Sequence, residues 1–283
     1  MAEWTSILVE SCDGIARVTL NRPERRNAFD QRMVGELRES FDRFAGDRSV
    51  RSIILTGAGP VFCAGADLRW LSRDRSLSAE QARRDAHLLA GMYRAIDECP
   101  HPVIGRVQGN AFGGGIGFLA VCDVVVAAEE AMFTLSELQL GLIPAVIAPF
   151  LLRKAGDSFM RRFCLTAESF SAAVARQFNL VHDVVKPDQL DSRTNELADA
   201  VLRLAPEATR ETKALLRRLQ AAPAADQEAL SVEANAQARL SAEAQEGLRA
   251  FLEKRSPAWR QARIDQERDS TNGTTHHVAG QRT

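Results

Sequence analysis

What most constrains this chain is the exchange of two hydrophobic periods along it, with short β-rich runs alternating with stretches of helical spacing. Residues 6–10 (SILVE) and 15–20 (IARVTL) are β-rich and flank Asp13-Gly14, a hairpin signal. Residues 31–45 read as an amphipathic helix, with Met33, Val34, Leu37, Phe41 and Phe44 on one face. SIILTG at 52–57, PVIGRVQG at 102–109 and DVVVAA at 123–128 are buried-strand patterns. Between them, residues 79–98 carry Leu88, Leu89, Met92, Tyr93 and Ile96 at helical spacing, and residues 116–122 read as a short apolar helix. This order of strands and crossovers predicts an α/β chain with right-handed crossovers. From residue 188 the pattern turns helical, with Ala-, Leu- and Arg-rich stretches broken by Pro206 and Pro223, so a boundary is expected near 195–205. Residues 264–283 lack apolar periodicity and predict a disordered tail.

Composition narrows the function classes. Among 283 residues, 36 basic and 37 acidic side chains give a net charge of −1. There is no basic excess of the kind a nucleic-acid binder carries. No apolar run reaches the ~20 residues of a membrane span. The opening MAEWTSILVESCDG lacks a basic region followed by an apolar stretch, so no secretory leader is expected. Cys12, Cys63, Cys99, Cys122 and Cys164 are odd in number and contain no CxxC pair, which argues against a disulfide framework or a zinc site and fits a reducing cytoplasm.

Three segments carry chemistry. Gly113-Gly114-Gly115 precede the short apolar helix. No lysine follows to make a phosphate loop, and the dinucleotide fingerprint would place Phe118 or Ala120 where its last glycine belongs. Two readings remain: a packing turn, or a helix N-terminus whose bare N–H groups face developing negative charge. The small residues Cys63-Ala64-Gly65-Ala66-Asp67 pose the same choice. Together the two loops suggest a two-donor oxyanion hole, and without GxSxG there is no sign of a hydrolase nucleophile elbow. Glu137 sits in the apolar stretch FTLSELQLG. It is either an exposed strand-edge residue or an arginine partner, or a desolvated acid/base with a pocket-tuned pKa.

Six segments in order, TLNRPERRNAF (19–29), FCAGADL (62–68), RVQGNAFGGG (106–115), Cys122-Asp123, SELQLGLIP (136–144) and LTAESFSAAVA (165–175), resemble the enoyl-CoA hydratase/isomerase (crotonase) superfamily over residues 5–256. The resemblance implies a core spiral of ββα turns over residues 1–200, which binds acyl-CoA. A helical region at 201–263 would build trimers or dimers of trimers, with the tail at 264–283. By motif, the N–H groups of Ala66 and Gly114 correspond to the family's oxyanion donors. Backbone carbonyls of Ala64, Ala66 and Leu68 correspond to its adenine contacts. Arg25 or Arg26 takes the place of a phosphate-binding residue, and Phe251 and Lys254 that of coenzyme A contacts on the terminal helix; both of the latter read equally as ordinary helix surface. Trp70, with parts of 85–95 and 142–150, is expected to line the acyl pocket.

The sequence departs from the two-glutamate pattern. Gly117 stands where typical hydratases carry their first glutamate, which leaves Glu137 alone. The surrounding residues resemble a one-glutamate branch that includes methylglutaconyl-CoA hydratase-like proteins. The implied activity is reversible hydration of a 2-enoyl-CoA, with coenzyme A as part of the substrate and no metal, flavin or nicotinamide. An isomerase, a hydroxymethylglutaryl-type dehydratase, a decarboxylase or a non-catalytic coenzyme A-binding protein are the alternatives.

Overall fold

The computed structural model describes residues 4–72 and 77–260. The expected tail lies outside the described residues. The described chain divides into two compact units, one ending at Asp199 and the other beginning at Ala200.

The first unit opens with β1 (Ile7–Cys12) and β2 (Ile15–Leu20), an antiparallel hairpin. Its turn uses Asp13 and Gly14, both at positive φ, as a two-residue turn of this kind requires. Helix α1 (Gln31–Gly46) starts at Asp30, whose carboxylate accepts from Met33 N–H at 3.0 Å, and buries Met33, Val34, Leu37, Phe41 and Phe44. Then come β3 (Ser52–Gly57), the single turn α2 (Leu68–Leu71), and α3 (Ala79–Glu98), which opens with a Ser78/Gln81 capping box. The chain continues through β4 (Val103–Val107), β5 (Ala111–Phe112), α4 (Gly114–Val121), β6 (Val124–Ala128) and β7 (Met132–Thr134). Then follow α5 (Ala148–Thr166), interrupted at Gly156, β8 (Phe170–Ser171), α6 (Ala172–Gln177), β9 (Asp183–Val185) and α7 (Leu190–Leu202), whose last residues pass the boundary at Asp199.

One sheet has the order β1-β2-β3-β4-β6-β9, parallel from β2 onward. The second has the order β5-β7-β8, β5 and β7 parallel and β7 and β8 antiparallel, built from segments that follow β4, β6 and α5. All six residues of β3 are buried, as expected of an internal parallel strand. The main core gathers Phe29, Phe62, Tyr93 and Phe118 beneath α4, with edge-on or tilted rings 5.4 to 6.4 Å apart.

Two boundaries differ from the sequence expectation for tertiary reasons. Helix α4 begins at Gly114 rather than Ile116, because packing holds glycines whose intrinsic preference is against helix. Strand β6 begins at Val124, since Asp123 turns its carboxylate back to accept from Val103 N–H at 2.7 Å. At the other end of α4, the buried Lys154 ammonium donates to the carbonyls of Leu119 and Cys122, at 2.8 and 2.5 Å. A cation there complements the helix dipole, while burial pulls its pKa down to about 8.

The second unit contains α8 (Pro206–Ala221), α9 (Ala224–Leu240) and α10 (Ala242–Leu252). Pro206 occupies the first turn of α8, and Pro223 precedes α9, so both prolines start helices rather than break them. The first turn of α8 is capped from a distance: Glu243 accepts from Glu207 and Ala208 N–H at 3.1 and 2.7 Å. Leu216, Val232, Leu240, Leu248, Phe251 and Leu252 are exposed. No helix among the described residues is long and apolar enough to cross a membrane.

Candidate active site

The site grows from the two small-residue loops. The segment before α2 pairs with the one before α1: Phe29 N–H donates to Gly65 C=O at 2.9 Å and Asp67 N–H to Phe29 C=O at 2.8 Å. In a parallel bridge these bonds bracket Ala66, so its own N–H and C=O point away from that partner. On the other side, Phe112 N–H donates to Cys63 C=O at 2.9 Å and docks the loop before α4 against the same segment. A Cβ on Gly65 would lie 3.4 Å from Gly114 N, and one on Gly115 would lie 2.5 Å from Cys63 C=O. Glycine at both positions is therefore a condition of the two loops lying side by side.

Gly114 is the first residue of α4, where an N–H has no intrahelical acceptor. Among the described residues neither Ala66 N–H nor Gly114 N–H has an acceptor. Two bare donors thus stand on adjacent loops, one of them at the positive end of a helix.

Glu137 opens the 3-10 turn Glu137–Leu140 after β7. Sequence allowed an exposed strand edge or an arginine partner, and the structure has neither among the described residues. One carboxylate oxygen lies 3.1 Å from where a Cβ on Gly113 would stand, beside the Gly113–Gly115 loop. The other, Oε2, is buried without a hydrogen-bond partner among the described residues. Burial pushes the Glu137 pKa above the ordinary carboxylate value, opposed by its own backbone N–H. A buried carboxylate oxygen left without a donor is a place where a ligand's O–H would be held.

Gly117 lies one turn into α4. The space beside it is closed: a Cβ there would meet Ile147 Cγ2 at 2.5 Å and the Tyr93 ring at 2.8 and 2.9 Å. The position taken from sequence as vacant is therefore filled from outside by two side chains. Helical spacing placed Tyr93 on a buried face, but nothing local linked it to Gly117.

The other candidates fall as follows. Arg25 and Arg26 are exposed, and Arg26 C=O accepts from Ala64 N–H at 2.9 Å, so their segment runs alongside the Ala66 loop. Leu68 is exposed and its C=O already accepts from Ser72 N–H at 2.9 Å. Trp70 is buried on α2, in the main core. Phe251 and Lys254 belong to the second unit, Phe251 exposed and Lys254 in the left-handed region.

Sequence reading missed the braces. Asn27 Nδ2 donates to the carbonyls of Ala58, Val61 and Phe62, while its Oδ1 accepts from Arg22 N–H. Arg22 in turn pairs with Asp30 at 3.3 Å and Asp67 at 3.2 Å. A clue was the density of polar residues in NRPERRNAF, too many for a plain strand-to-helix turn.

A buried carboxylate beside two bare backbone donors defines an acid/base site for a substrate that develops negative oxygen. Residues 10–263 match the Enoyl-CoA hydratase/isomerase family model. The chain is similar to a crystal structure of an enoyl-CoA hydratase from Shewanella pealeana, with 37% identity and TM-score 0.87 over 91% of this chain and 97% of that one. It is also similar to Pseudomonas aeruginosa AtuE, with 38% identity and TM-score 0.86 over 90% and 99%. A third relative is the mevalonyl-coenzyme A hydratase sidH of Aspergillus fumigatus, 35% identical over 88% of this chain and 93% of that one. The chain belongs to the enoyl-CoA hydratase/isomerase family and has the crotonase fold.

Proposed function

We propose that the protein catalyses reversible addition of water to a 2-enoyl-CoA thioester, with a β-branched or carboxylated acyl group such as 3-methylglutaconyl-CoA. The observation that carries this reading is the unpartnered Glu137 Oε2, buried beside the Gly113–Gly115 loop. In its ionised form Glu137 accepts a proton from water as the oxygen bonds to the β-carbon. The electron pair of the double bond moves toward the thioester, and the enolate oxygen is held by the N–H groups of Ala66 and Gly114. Protonated Glu137 then returns the proton to the α-carbon, which restores both thioester and carboxylate. Closure of the Gly117 position supports one carboxylate serving both steps, since Ile147 and Tyr93 leave no room for a second. The steps use coenzyme A as part of the substrate and require no other cofactor. The branched acyl group is supported by the relative named for mevalonyl-coenzyme A. Arg25 or Arg26 and the carbonyls of Ala64 and Leu68 are proposed to hold the coenzyme A end, with Trp70 proposed to line the acyl pocket.

The same single base favours one competing reading, a 1,3-proton shift that moves the double bond without adding water. Incubating the protein with crotonyl-CoA and with 3-methylglutaconyl-CoA, followed by mass analysis of the products, separates the two. Gain of one water by either thioester is expected. A shifted double bond at unchanged mass identifies an isomerase, and binding without turnover identifies a non-catalytic coenzyme A-binding protein.

A further inference from the structure

Gly113, Gly114 and Gly115 form the least restrained backbone a chain can present, and they stand at the start of a helix with no side-chain cap. Glycine is required there by close approach: a Cβ on Gly114 would lie 2.7 Å from the Phe29 ring. The same freedom is a liability for a donor that must hold one direction while charge develops on its acceptor. Something outside the loop has to restrict it. Gly113 N–H is tied to Thr134 C=O at 2.9 Å. Gly114 is tied at its other side, where the Tyr93 hydroxyl donates to its carbonyl at 2.6 Å.

We propose that Tyr93 is the positioning residue of the oxyanion hole, its phenol holding the Gly114 carbonyl so that the Gly114 N–H keeps its aim at the thioester oxygen. This rests on the two-donor reading given above. Tyr93 comes from α3 and is 1% exposed. Its ring is fixed by Phe118 and Phe150, with centroids 5.4 and 6.2 Å away, and its edge closes the space at Gly117. A phenylalanine would keep all of that packing and lose only the hydrogen bond. The carbonyl of Gly114 also faces the helical N–H of Phe118, so the phenol bond is an addition to the helix ladder and not a substitute for it. Burial, together with the nearby Cys63 and Glu137, keeps the phenol protonated well above its ordinary range, so it remains a donor at any working pH.

Tyr93→Phe tests this. The probe is crotonyl-CoA carrying carbon-13 at the thioester carbonyl, whose infrared stretch moves to lower frequency as hydrogen bonds to its oxygen strengthen. The wild-type complex should show a stretch well below that of free crotonyl-CoA, and the variant should lose much of this displacement. kcat should fall about 10- to 100-fold, less than the ~10²–10³ of losing a donor outright, with KM held within about threefold. A variant with the wild-type stretch and kcat would overturn the proposal. A wild-type complex with no displacement would instead overturn the two-donor reading itself. Tyr93 is the only tyrosine in the chain, so biosynthetic incorporation of 3-fluorotyrosine places one fluorine at this position alone. If the phenylalanine variant does not fold, the fluorinated protein carries the test. Its more acidic phenol donates more strongly, and the thioester stretch should move further down. An unmoved stretch overturns the proposal.

Discussion

Glu137 carries conflicting demands. In the proposed reaction its carboxylate must be ionised to act as a base, while its poor solvation opposes the charged form. Its pKa in the folded chain therefore lies above the ~4.3 of an unfolded glutamate. The contribution to stability is fully present below the unfolded value and is lost as pH rises through the folded one. Glu137→Gln should accordingly melt at a higher temperature than wild type at neutral pH, with the difference shrinking to nothing as the buffer is taken below about pH 4. Calorimetric scans across that range check the sign; equal melting temperatures throughout would mean that Glu137 is solvated. The same substitution should lower hydration by at least the ~10²–10⁴ expected of a general base, with thioester affinity little changed. Wild-type hydration should fall on acidification with a midpoint above the ordinary glutamate value, read from kcat/KM against pH.

Helix α4 shows how one short element serves several ends. Its first turn offers the Gly114 N–H, Gly115 lets the Cys63 loop approach, and its last turn is neutralised by Lys154. Gly117 illustrates the competition between propensity and packing. Alanine inside a helix normally gains about 0.5–1 kcal/mol over glycine. Here the added Cβ would stand 2.5 Å from Ile147 and press on the ring of Tyr93. Overpacking of this kind costs about 1–3 kcal/mol, so Gly117→Ala should destabilise the protein despite the better helix former. Adding Ile147→Ala should recover part of that loss, a coupling that urea unfolding of the two single variants and the double would measure. Strict additivity would mean that the two residues do not meet. It follows that Gly117→Glu alone should not create a two-carboxylate hydratase.

At the scale of the molecule, the described chain is two units of different character. The first buries a large mixed core under a six-stranded sheet. The second leaves Leu216, Val232, Leu240, Leu248, Phe251 and Leu252 exposed on three helices. Apolar surface of that extent calls for a cover. Self-association as a trimer or hexamer is the expected outcome, and analytical ultracentrifugation should report three or six times the 31.1 kDa of one chain. A monomer at micromolar concentration would contradict it.

The alternation of hydrophobic periods and the Asp13-Gly14 hairpin signal are local, and the hairpin, α1, β3, α3, β4, α4 and β6 that they announce are present, while Pro206 and Pro223, read as breaks, begin α8 and α9. Such signals depend on neighbours a few residues apart, which is why sequence alone determined those elements, whereas α5 and the strands β5, β7, β8 and β9, two or three residues each, went unannounced. The glycine loops and Glu137 were also visible, because small residues after strands and a carboxylate among apolar residues are unusual in themselves. What met those residues was not visible. Ile147 and Tyr93 filling the space at Gly117, the phenol on the Gly114 carbonyl, Asn27 across three carbonyls and Lys154 at the end of α4 all join segments far apart in the chain. Periodicity reports that a face is buried but not against what. That choice belongs to the packing of the whole fold, where steric fit and the satisfaction of buried polar groups are decided together.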